Sequence, residues 1–112
     1  LNYGHTIGHA IEIAHGLSHG EAVAIGMVAE AAIAAERLGF DAVDEHRATI
    51  AGLGLPTALD EVDQEAVRRL VLLDKKRTAH GVRMALLSGY QEPTVIDVTE
   101  NDVVVGIDAI AM

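Results

Sequence analysis

The sequence predicts a mainly α fold: a helical bundle carrying one small β-hairpin. Three observations lead there. Half of the 112 residues are hydrophobic but only 3% are aromatic, so the core must be built from Ala, Val, Ile and Leu, a composition suited to packed helices. A long apolar pattern runs from His19 to Leu38 with apolar residues on most sides, as in a buried helix. Only Val82 to Leu87 and Thr94 to Val98 look like strands, and both are short.

The elements follow in order. Gly4 to about Ala14 reads as a short helix carrying two histidines. Gly16, Leu17 and Ser18 make a turn, with Ser18 placed to cap the next helix and Glu21 three residues on, as in a capping box. The long helix His19 to Leu38 buries Ala22, Val23, Ile25, Val28, Ala29, Ala32 and Ile33. Glu30, Glu36 and Arg37 mark its wetter side, and Gly39 ends it. Gly26 inside a helix costs about 1 kcal/mol relative to Ala, which points to a tight helix crossing. Gly4 and Gly8 likewise leave one side of the first helix bare for close approach. A more polar helix from Asp44 ends at Gly52-Leu53-Gly54-Leu55-Pro56. Asp63 can cap a helix to about Lys75, with Val67, Leu70 and Val71 inward. Thr78 to Gly81 is a turn, Ser88 to Pro93 separates the strands, and Thr99 or Asn101 starts a last helix reaching Ile110.

Composition excludes several functions. A formal charge of −9 argues against nucleic acid as a partner. An anionic small molecule remains compatible, because Arg68, Arg69, Lys75, Lys76, Arg77 and Arg83 concentrate the positive charge; the plainer reading is a solvated helix face and a basic loop. With no cysteine, a metal would have to use His, Asp or Glu. No run of about 18 uncharged apolar residues suggests a membrane span, and a cytosolic protein is expected. The chain starts at Leu1, inside what reads as a motif, so residues 1–112 are expected to be one domain of a longer polypeptide.

The histidines carry the chemistry. His5 and His9 are four apart, so on a helix they point roughly 40° apart, one turn along the axis; Glu12 joins that face. His19 opens the next helix, and a chain reversal could return it to His5. A lone buried histidine is ordinarily a core residue with its hydrogen bonds satisfied. Two at helical spacing and a third beyond a turn raise the case for a divalent metal, for which neutral imidazole is a suitable donor. His5 and His19 could then be the ligands and His9 a free general base, a role to which the imidazole side chain is suited at neutral pH. Such a metal acts as a Lewis acid on an alcohol or carbonyl oxygen. Glu12 and Glu21 could orient the ligands, with helix capping an equally good reading for Glu21. His15, His46 and His80 are read as surface or turn residues.

Leu1-Asn2-Tyr3-Gly4-His5-Thr6-Ile7-Gly8-His9-Ala10-Ile11-Glu12 and His19-Gly20-Glu21-Ala22-Val23-Ala24-Ile25-Gly26-Met27 together resemble the 3-dehydroquinate synthase family. The resemblance continues through Gly54-Leu55-Pro56, Asp74-Lys75-Lys76 and Gly81-Val82-Arg83, in order and over nearly the whole chain. It implies the C-terminal helical domain of a two-domain enzyme that uses NAD and a divalent metal, zinc or cobalt. That enzyme converts 3-deoxy-D-arabino-heptulosonate 7-phosphate to 3-dehydroquinate and phosphate, in the shikimate pathway. The resemblance makes His5 and His19 metal ligands, with a third ligand, a glutamate, from an upstream segment. It makes His9 the proton-transfer residue, Asn2 a substrate contact, and Lys75 or Lys76 the substrate-binding lysine. It also implies that NAD is held mainly by an N-terminal domain, that the full-length enzyme is a homodimer, and that these 112 residues alone do not turn over. The loop between Glu12 and His19 is short for the family and would bring His15 close to the metal. Other sugar-phosphate cyclases, a 2-deoxy-scyllo-inosose or 2-epi-5-epi-valiolone synthase, share the histidines and stay open as alternatives. A metal-dependent polyol dehydrogenase is a more distant one, which the Gly-His-Thr-x-Gly-His-Ala-x-Glu block disfavours.

Overall fold

A computed structural model describes residues 4–77, 82–89 and 92–111. The predicted mainly α architecture is borne out. The order is α1 (His5–His15), α2 (His19–Leu38), α3 (Val43–Gly52), α4 (Gln64–Arg77), β1 (Val82–Gly89), β2 (Glu92–Val98) and α5 (Glu100–Ile110). α2 is the central element: α1, α3, β1 and α5 all pack against it, and α4 closes the bundle against α1 and α5.

α1 and α2 form an antiparallel helix hairpin. Gly16, at φ 68°, ends α1, and its N–H donates to the Glu12 carbonyl. Ser18 then caps α2, its hydroxyl oxygen accepting from the Glu21 N–H at 3.3 Å. The two helices touch through backbone. A Cβ on Gly26 would lie 2.2 Å from the Gly4 carbonyl oxygen and 2.6 Å from the Gly8 nitrogen, so the crossing expected from Gly4, Gly8 and Gly26 is present and its partners are one another. Ile7, Ile11, Ile25 and Val28 are fully buried. On another side of α2, Gly106 of α5 allows close approach to the Ala29 carbonyl, where a Cβ would meet it at 3.1 Å.

The remaining elements depart from the sequence reading mainly at their ends. Asp63 caps α4 as expected, its Oδ1 accepting from the Ala66 N–H, and Val67 and Val71 are buried beneath. Gly39, at φ 73°, ends α2 as expected. The strands run further than predicted: β1 reaches Gly89 and β2 starts at Glu92, with Leu87 opposite Pro93 and an irregularity between Leu87 and Gly89. Proline is tolerated there because a two-stranded sheet has only edge strands. Thr99, rather than Asn101, begins α5. Its hydroxyl accepts from the Asp102 N–H, while Asp102 accepts from the Thr99 N–H. Asp102 also pairs with Arg37, tying the end of α2 to the start of α5.

One expectation fails. Glu30 does not mark a wet side of α2; it is fully buried. The first turn of α1 needs an acceptor there, and Glu30 supplies it.

Candidate metal and substrate site

α1 and α2 meet with Gly8 against Ala22 and Val23 and with Glu12 beside His19. In this register His5 and His19 face each other, their ring centroids 5.2 Å apart and their planes at 57°. Metal–nitrogen bonds of about 2.0–2.1 Å at a tetrahedral angle place two imidazole centroids roughly 5 Å apart, so the pair suits one divalent ion. The His19 Nδ1 is 2.8 Å from the Glu12 Oε1. A carboxylate can only accept, so Nδ1 carries the proton, and in the neutral ring this leaves the Nε2 lone pair for a ligand.

Beside the two rings lies a cavity of about 310 Å³, lined beyond the histidines by Gly20, Val23, Ala24, Met27, Ile50 and Leu55. Its walls are apolar, and the His19 ring stands largely exposed at its mouth. Among the described residues no third His, Asp or Glu joins the pair to complete a three-donor cluster.

The other site candidates fall as follows. His9 is exposed on α1, one turn beyond His5. The Glu21 carboxylate accepts from the Ser18 hydroxyl at 2.7 Å, which is the capping alternative. Lys75 and Lys76 are on the last turn of α4, and their side chains, like Asn2, His80 and the turn Thr78 to Gly81, lie outside the described residues. Arg68 and Arg69 flank a shallow groove with Glu65, Leu72 and Leu73.

Two of the histidines read as surface or turn residues are partly buried and have partners. His15 accepts from the Asp63 N–H at 3.2 Å, fastening the end of α1 to the start of α4. It is ten residues from His5, a rise of about 15 Å along the helix. His46 is half-buried edge-on to Phe40, with ring centroids 6.3 Å apart, and burial lowers its pKa.

Sequence reasoning missed Glu30. Its Oε1 accepts from the Gly4 N–H at 3.0 Å and its Oε2 from the Ile7 N–H at 3.1 Å. Burial pushes its pKa up to about 7, against the downward pull of hydrogen bonds from the backbone of Ile7, Gly4 and Thr6. A signal was present: Glu30 is four residues after Gly26 and three before Ile33, so it shares their inward face.

The fold defines the class. A 2-deoxy-scyllo-inosose synthase, solved with carbaglucose-6-phosphate, NAD+ and Co2+, superposes with a TM-score of 0.80 at 30% identity, over 95% of this chain and 32% of that one. The fold is that of the helical domain of a sugar-phosphate cyclase. More particularly, residues 1–77 match the 3-dehydroquinate synthase C-terminal family, and the chain belongs to it. A 3-dehydroquinate synthase of Synechococcus sp. is 48% identical over 104 residues, covering 87% of this chain and 28% of its own length. One from Pyrobaculum neutrophilum is 44% identical over 92 residues, covering 78% and 26%. The chain thus spans under a third of the length of these relatives.

Proposed function

We propose that this chain is the metal- and substrate-binding domain of a 3-dehydroquinate synthase. In that role it converts 3-deoxy-D-arabino-heptulosonate 7-phosphate to 3-dehydroquinate and phosphate, together with an NAD-binding domain outside these residues. The observation that carries the reading is the His5–His19 pair at 5.2 Å, with Glu12 fixing the His19 tautomer. The 3-dehydroquinate synthases among its relatives support it, and so do the NAD+ and Co2+ bound to the related 2-deoxy-scyllo-inosose synthase.

His5 and His19 would hold the divalent ion, zinc or cobalt, with a carboxylate from outside these residues completing the set. When bound, the ion supplies Lewis acidity toward a ring hydroxyl as it becomes a ketone. His9, exposed one turn along α1, would take and return the proton at a substrate hydroxyl. The hydride lost as the ketone forms would pass to NAD held outside these residues and be returned after elimination; the ketone acidifies the neighbouring C–H, and phosphate then leaves. Asn2 would contact the substrate, and Lys75 or Lys76 would supply the compact cation that a phosphate dianion needs. Helix α4 begins beside His15 and packs against α1. On this reading the enzyme would work in the cytoplasm; no helix among the described residues is long and apolar enough to cross a membrane.

Calorimetric titration of the chain with Co2+ tests the metal half of the reading. Weak binding, lost in both His5→Ala and His19→Ala, is the expected result. Phosphate release from the heptulosonate phosphate by the full-length protein, and none by the 112 residues alone, tests the rest. Turnover by the isolated domain would overturn the division of labour.

A further inference from the structure

Helix α1 has no cap of its own. Gly4, at φ 81°, precedes it and has no side chain to accept from the first-turn amides. Those amides have no partner within the helix and must find one elsewhere. Glu30 reaches them from α2, dividing its oxygens between the Gly4 and Ile7 N–H groups, with the Thr6 backbone also directed at it. His5 is held between these points. At the other end of the hairpin, Glu12 holds His19.

We infer that Glu30 is a positioning residue: its buried carboxylate, by holding both ends of the first turn of α1, fixes the His5 ring opposite the His19 ring. Both of its oxygens are taken up by backbone amides, so it acts through the helix and not on the reacting atoms. The backbone contact of Gly26 with Gly4 and Gly8 limits how closely the helices approach but does not by itself stop α1 sliding or rotating. Two directed hydrogen bonds from one side chain do. The consequence for metal affinity rests on His5 and His19 being the metal donors; the placement of the His5 ring does not.

Glu30→Gln is the test, made in the 112-residue chain. The amide keeps the shape but accepts at one end only, and its NH2 then faces a backbone N–H. Histidine-ring carbon–proton NMR spectra of the metal-free protein are read alongside Co2+ titration, with the exposed Glu36→Gln as control. The expected result is a folded protein whose His5 ring signals shift or broaden while those of His46 stay, and whose Co2+ affinity falls about tenfold. Unchanged His5 signals in the folded variant overturn the inference, whatever the metal does. Moved His5 signals in a chain that takes up no Co2+ even as wild type support it and sink the metal assignment instead. Glu30→Asp keeps the charge but is too short to reach both amides, so it should show the same His5 shift. Loss of fold in both variants would make Glu30 a purely structural residue and overturn the inference.

Discussion

Gly26→Ala should damage the protein although alanine is the better helix former. The added Cβ would stand 2.2 Å from the Gly4 carbonyl oxygen, 2.6 Å from the Gly8 nitrogen and 2.8 Å from the Gly8 Cα, where ordinary contact begins at 3.4 Å. All three are backbone atoms of the facing chain, so no rotamer change relieves them and α1 must back away by about 1 Å. Overpacking of this kind costs typically about 1–3 kcal/mol, and the rigid partners put it at the upper end. The gain in helix propensity returns about 1 kcal/mol, leaving a net loss of about 2 kcal/mol. Gly20→Ala is the matched control in the same helix: nothing lies within 4 Å of its Cβ, so only the propensity gain applies and stability should rise by up to about 1 kcal/mol. Urea unfolding followed by circular dichroism separates the two. A Gly26→Ala midpoint at or above wild type would refute the close crossing. The folded fraction should also bind Co2+ more weakly, since retreat of α1 carries His5 away from His19.

Three further outcomes are expected. Burial raises the Glu30 carboxyl from 4.5 to about 7, so the native state binds the extra proton between those values. The contribution of this group is therefore full below about pH 4.5 and is lost as pH rises through about 7, a swing of about 3 kcal/mol. Wild-type and Glu30→Gln stabilities measured from about pH 4 to 8 should diverge by that pattern, and parallel curves would dismiss it. Glu12→Ala should leave the fold intact and weaken Co2+ binding about 10- to 100-fold by freeing the His19 tautomer, as read by calorimetry. Asp102→Ala leaves the Thr99 cap in place but removes the return half of the α5 capping box, the carboxylate that accepts from the Thr99 N–H, together with the partner of Arg37; thermal unfolding should show a loss of about 2 kcal/mol, and a loss under about 0.5 kcal/mol would show that these two contacts are redundant.

Sequence patterns reveal those features that depend on local chemistry. Ser18, Gly39 and Asp63 mark helix ends because capping is decided within three or four residues, and all three act as expected. His5 and His9 share a helix face by spacing alone. That His19 returns to His5 is also legible, because only Gly16 to Ser18 separate the two helices and so short a turn must reverse the chain. Long-range pairings are not legible. Neither Arg37 with Asp102 nor His15 with Asp63 has any trace in local spacing, since each joins elements 65 and 48 residues apart. Local pattern places Pro93 outside the strands; that no third strand among the described residues demands its missing N–H is a property of the sheet, invisible in the residue itself.

Glu30 lies between these cases. Its face is legible from Gly26 and Ile33, but a charged residue is ordinarily assigned to water because burying it alone costs too much. The cost is offset in part here by amides that α1 leaves open, and they are open because residue 4 is a glycine. The same glycine also admits the close approach of α2, so one small residue serves two needs. It lets the helices touch at Gly26, and it leaves a first turn that only a carboxylate from across the interface can complete. Reading the glycines as pairs, each requiring something from the facing helix, would have placed Glu30 inside.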